Sequence, residues 1–98
     1  MSQTVEYQTY LAAYYAAIDA KDNAERAVSE ITNKARNAYD NCYRENGVEE
    51  AFVVFHSYDK ERAIALEELY TARKEYNRMS HEIAKYQQHW TRFEILFL

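Results

Sequence analysis

Three histidines, one cysteine and a line of basic residues are the groups in this chain whose chemistry must be weighed first. His56, His81 and His89 are potential metal ligands. A carboxylate-bridged metal centre in a helical bundle needs Glu-x-x-His on facing helices. The residues three before these histidines are Val53, Arg78 and Tyr86, so that motif is absent. His81 and His89 lie about two helical turns apart, too far to share one ion. All three read as solvated surface histidines, and no metal or cofactor is expected.

Cys42 has Tyr39 and Tyr43 as close neighbours and no His or Lys three or four positions away. A thiol nucleophile needs a neighbouring base or cation to hold it as thiolate. Cys42 therefore reads as an ordinary buried thiol near a turn. There is no glycine-rich phosphate loop, no Cys-x-x-Cys and no Ser-His-Asp grouping. The expectation is a non-catalytic protein.

Lys74, Arg78, His81, Lys85 and Arg92 follow three-four spacing, and such a line can track phosphates. This makes nucleic-acid or nucleotide binding the alternative function. Glu67, Glu75 and Glu82 lie beside the stripe, with Glu75–Arg78 and Glu82–Lys85 spaced to pair within the helix. The net charge of −4 also weighs against a dedicated nucleic-acid binder.

Ten tyrosines are the main compositional oddity. Tyr7, Tyr10 and Tyr14 join Leu11 and Ile18 near the start of the chain. Aromatic residues bury a large area for little entropy cost, which enriches them at binding hot spots. Together with Trp90, Phe93 and Phe97 near the other end, they form the expected partner-binding surface. The rival reading is that they seal the open end of a helical hairpin or of its dimer.

The elements that carry these residues follow from periodicity. Alternating steps of three and four from Phe55 give Tyr58, Arg62, Ala65, Leu69, Ala72, Tyr76, Met79, Ile83, Tyr86, Trp90, Phe93 and Phe97. Only Arg62 interrupts an apolar or aromatic stripe, which three-four spacing places on one helical face. The opposite lines are polar: Lys60, Glu67, Lys74, His81 and Gln88, then Glu61, Glu68, Glu75 and Glu82. A seven-residue repeat held this long implies a helical partner along its length. At Arg62 the polar group either fixes register, with Glu30 as the expected partner, or extends its stem to solvent.

Residues 5–45 read as a first helix. Acid-first pairs four apart (Asp22–Arg26, Glu30–Lys34, Asp40–Arg44) favour it. It carries a small stripe of Ala13, Ala17, Ala20, Ala24, Ala27, Ile31 and Ala38. A larger stripe of Tyr7, Leu11, Tyr14 and Ile18 resumes at Val28, Ala35 and Cys42 after a polar gap at residues 19–25. Asn46-Gly47 is the turn, because glycine reaches left-handed conformations without steric penalty. Residues 48–97 read as one second helix, since the Phe55 phase continues unbroken, although Ser57 and Asp59 are able to cap a fresh start. A turn at Gly47 sets residue i opposite about residue 94 − i. The alanine stripe is then expected to pack against the bulky stripe.

The whole chain, 1–98, is thus expected to be one all-α helical-hairpin domain. Proline is absent and there is one glycine, so tight-turned sheets find little support. No run approaches the roughly 20 apolar residues of a membrane span, and MSQTVEYQ does not read as a secretory signal. A cytoplasmic protein without membrane contact is expected. A lone hairpin would leave the larger stripe of the first helix in water, and exposed patches of that kind mark an interface. Dimerisation into a four-helix bundle would cover it. The expected function is that of a small acidic helical adaptor or inhibitor, of a type that viruses also use, occupying the surface of another protein.

Overall fold

The computed structural model describes the backbone of residues 2–97 and the side chains of residues 5–86. It is all helical, with no strand among the described residues. Helix α1 spans Ser2–Asn46, α2 spans Val48–His56 and α3 spans Asp59–Phe97. The chain divides into two compact units, Asp22–Thr71 and the paired segments Met1–Lys21 and Ala72–Leu98. Their boundary in α1 falls at Lys21–Asp22, inside the polar gap of its larger stripe.

Gly47 ends α1 with φ 91° and ψ −179°, a region that only glycine enters cheaply. Its N–H donates to the Tyr43 carbonyl at 3.1 Å, and its own carbonyl accepts from the Ala51 N–H at 3.2 Å. One residue therefore closes the last turn of α1 and opens the first of α2. Glu49 and Glu50 stand in that first turn, where carboxylates complement free N–H groups.

The expected second helix is broken into α2 and α3. The Ser57 N–H is shared between the Val53 and Val54 carbonyls, both at 3.1 Å. Its hydroxyl also donates to the Val54 carbonyl at 2.5 Å. Tyr58 N–H then closes a shorter three-residue turn on the Phe55 carbonyl at 3.3 Å, and the α pattern resumes with Arg62 N–H on Tyr58 at 2.9 Å. A serine that satisfies a nearby carbonyl competes with helix continuation, and the β-branched Val53–Val54 pair before it weakens propensity further. Asp59 collects both flanks: it lies 2.8 Å from His56 Nδ1 and accepts from Arg62 Nη2 at 3.1 Å. Arg62 thus pairs on its own helix instead of with Glu30, and its guanidinium sits 5.3 Å from the Phe55 ring centroid.

The break does not disturb the stripe. From Phe55 to Tyr86, every stripe position is buried or half-buried. On the opposite lines every described position is exposed except the half-buried Glu82. Trp90, Phe93 and Phe97 lie outside the described side chains.

In the unit formed by Met1–Lys21 and Ala72–Leu98, the helices run antiparallel. Tyr7 and Tyr10 meet Tyr86, and Tyr14 meets Tyr76. The core there is Ala17, Met79 and Ile83. At this end the contacting face lies between the two expected stripes: Ala17 of the alanine stripe is buried, its neighbours Ala13 and Ala20 are exposed, and Tyr7, Leu11, Tyr14 and Ile18 of the larger stripe are half-buried. Burying a ring removes far more apolar area from water than burying a methyl group, so the rings of the larger stripe share the contact with Ala17 where Ala13 and Ala20 do not. In the unit Asp22–Thr71, the core is Ala35, Ala51, Ala65 and Leu69.

Two substitutions test this description. Met79 is 2% exposed, so Met79→Ala should lower unfolding free energy by about 2–5 kcal/mol. A Cβ on Gly47 would meet nothing within 4 Å, so Gly47→Ala should cost only its backbone strain, about 1–3 kcal/mol. Urea denaturation followed by circular dichroism reads both. A neutral Gly47→Ala would mean that the two helices rejoin without needing the left-handed turn.

Candidate interaction surfaces

Aromatic side chains form two clusters, one in each unit. In the unit of Met1–Lys21 and Ala72–Leu98, Tyr86 lies between Tyr7 and Tyr10, with ring centroids 5.9 and 5.2 Å away. Its hydroxyl donates to Glu6 Oε2 at 3.3 Å. Tyr14 stacks on Tyr76 at 5.8 Å and touches Tyr15 at 6.0 Å. The Lys21 ammonium sits 4.5 Å from the centre of the Tyr76 ring, close enough for a cation–π contact. Five of the expected partner-binding residues are placed here. Tyr7, Tyr10 and Tyr14 are engaged with tyrosines of α3, while Leu11 and Ile18 are half-buried beside them. Val5 and Tyr15 remain exposed. Trp90, Phe93 and Phe97 fall outside the described side chains.

This packing alters the acidity of two phenols. Tyr14 is pushed above the ordinary tyrosine value, first by its hydrogen bond with Tyr76 and then by desolvation. Tyr86 is pushed up first by desolvation and then by the Glu6 carboxylate. Both effects favour the protonated phenol.

The second cluster surrounds the elbow between α1 and α2. Tyr39 stacks on Tyr43, one turn along α1, at 6.1 Å. It also makes edge contacts with Phe52 at 5.5 Å and Phe55 at 6.3 Å across the turn. His56 stacks on Phe52 and meets Phe55 edge-on. Arg36, Tyr39, Phe52 and Phe55 line a cavity of about 200 Å³. Beside it Tyr43, Val48, Phe52 and Val53 are all exposed, Val53 to 72%. Sequence reasoning did not single out this surface. Its signal was the run Phe52-Val53-Val54-Phe55, apolar on every side of a helix nine residues long. Cys42 lies nearby, half-buried, as a free thiol that accepts weakly from Asn46 Nδ2 at 3.8 Å.

The basic stripe is paired along its own helix. Arg78 donates to Glu75 through both Nε and Nη2, the former at 3.1 Å. The Arg78 guanidinium holds the Glu75 carboxyl below its ordinary range. Lys85 Nζ reaches Glu82 at 3.4 Å. Lys74 and His81 are exposed, and Arg92 lies outside the described side chains. Among the described residues, no group of three or more His, Cys, Asp or Glu side chains is placed to hold a metal ion. Nor is any described helix long and apolar enough to cross a membrane.

Comparison with family models, curated proteins and solved structures finds no match to this chain.

The tyrosine acidities have a defined sign. Because the folded values of Tyr14 and Tyr86 are raised, their stabilisation is present below the unfolded value near 10 and is lost as pH rises through the folded values. Absorbance titration near 295 nm should show a late-ionising component, which Tyr86→Phe reduces. Loss of helix signal should accompany that component. A single titration at the value of free tyrosine would show that the rings are not held as described.

Proposed function

We propose that the chain is a non-catalytic protein-interaction module, a small acidic helical adaptor or inhibitor that acts by occupying a partner protein's surface. The observation that carries this reading is the balance of apolar burial. Among the described residues, nine large hydrophobic side chains are exposed: Val5, Tyr15, Tyr43, Val48, Phe52, Val53, Ile64, Leu66 and Tyr70. The buried set contains only three large side chains, Leu69, Met79 and Ile83, beside four alanines. A chain that exposes more large apolar groups than it buries gains from a second molecule. A helical hairpin that dimerises into a four-helix bundle is one arrangement that would cover them.

The tyrosine cluster supports a foreign partner at the end of the chain where Tyr15 stands exposed. Its rings hold one another, so little side-chain freedom remains to be lost on binding. Nucleic-acid binding finds less support, because Arg78 and Lys85 are already paired with acids on their own helix.

Affinity capture from an extract of the source organism tests the reading. Wild type should retain a defined protein, and Tyr15→Ser should lose it while the helix signal stays unchanged. Capture that resists Tyr15→Ser would remove the tyrosine end from the interface. Retention of nucleic acid that weakens steeply with salt would favour phosphate contacts instead.

A further inference from the structure

The elbow in the unit Asp22–Thr71 carries a ring and a hole on the same surface. The hole is the cavity of about 200 Å³ lined by Arg36, Tyr39, Phe52 and Phe55. A cavity of about 150 Å³ is enough to admit a benzene ring, so this space takes one aromatic side chain. Phe52, 51% exposed, offers such a ring from the same wall, and Val53 widens the apolar surface around it. Charges are matched in the same way. Arg36 on α1 and Glu49 on α2 are both exposed, and neither closes an ion pair among the described residues. Glu49 lies three residues before Phe52, on the adjacent line of the same helical face.

We propose that a second copy of this chain covers the elbow, each Phe52 ring meeting the aromatic cavity of the other copy and each Glu49 carboxylate pairing with the other's Arg36. A two-fold contact joins one patch to itself, so it needs donor and acceptor, ring and hole, on that one patch. This patch has both halves of each pair. A foreign protein would require only one half of each and would leave the other unused. The self-association in the functional reading above is thereby assigned a surface, and the inference rests on that part of the reading alone.

The intact chain tests it by sedimentation equilibrium at micromolar concentration. Wild type should give twice the chain mass. Arg36→Glu sets two carboxylates against each other across the contact, and Glu49→Arg sets two guanidinium groups together. Each should weaken dimerisation by roughly tenfold or more, as juxtaposed like charges do. Mixing the two variants should restore a dimer, because both cross-pairs then join opposite charges. The double variant should dimerise as wild type does. Circular dichroism checks that each variant remains helical, which exposure of both positions favours.

A wild-type monomer would overturn the proposal. So would a dimer indifferent to both charge reversals, which would move the contact elsewhere, for example to Ile64, Leu66 and Tyr70. Failure of the mixture to re-form dimer would overturn the assigned pairing. Partner capture repeated with Arg36→Glu separates this result from the functional reading. A monomeric variant that still captures its partner leaves the interaction module intact, and loss of capture by a variant that remains dimeric counts against both assignments of surface.

Discussion

Close approach of helices on alanine is the constraint from which the rest of this structure follows. Ala17, Ala35, Ala51 and Ala65 make up four of the seven buried hydrophobic residues among those described. A methyl group lets helix axes come near the low end of the ~8–10 Å packing range. It also leaves no depth between them in which a phenol could disappear. Among the described residues, the large buried side chains are Leu69 in one unit and Met79 and Ile83 in the other. Large rings have to lie along the margins, with one edge on the helix contact and one in water.

Tyrosine suits such a margin better than phenylalanine. Its ring covers the core while its hydroxyl keeps a polar partner, as Tyr86 does with Glu6. Rings at a margin also meet one another, which explains why Tyr86 meets Tyr7 and Tyr10 and why Tyr76 meets Tyr14. The contact is thus built from half-buried aromatic edges, and its polar atoms alter one another's acidity although none is deeply buried. Charged residues follow the same economy of depth. Arg78 and Lys85 take partners three residues away on their own helix. Pairs this exposed contribute little to stability, so their principal effect is to neutralise the outer face.

Much of this was legible in the residue pattern, because periodicity reports which face of a helix is dry. The stripe from Phe55 to Tyr86 is the dry face at every step, and the Gly47 turn stands where the only glycine allows it. The all-helical composition followed from the absence of other breakers. What the pattern could not weigh was competition between two acceptable faces of one helix. Ala13 and Ala20 matched the template for close packing, yet the tyrosines beside them have more area to bury and take the contact. The break at Ser57 was signalled by the capping residues Ser57 and Asp59, but the unbroken stripe outweighed them for a related reason. A continuous stripe phase records which residues face inward, and a local hydroxyl bond can interrupt the backbone while leaving that phase intact. Arg62 went to Asp59 instead of Glu30 because a carboxylate on the first turn of its own helix is always within reach. The elbow surface went unnoticed because its parts, Arg36 and Tyr39 on α1 and Phe52 on α2, belong to no single helical line.

Helix α2 shows most clearly where folding alone stops explaining the sequence. Nine residues are too few for a helix to hold itself together in water. It persists because Gly47 and Ser57 organise its two ends and because Ala51, fully buried, seats it in its unit. None of these three needs the side chains on its outer face. Val53 is 72% exposed and β-branched, so it costs helix propensity and returns almost no burial. Val48 and Phe52 likewise leave about half of their surface in water. A polar residue at Val53 would serve the isolated fold at least as well. The surplus of apolar area on the outer face of α2 is what the proposed contact with a second copy would cover, on the surface where Arg36 and Glu49 carry opposite charges.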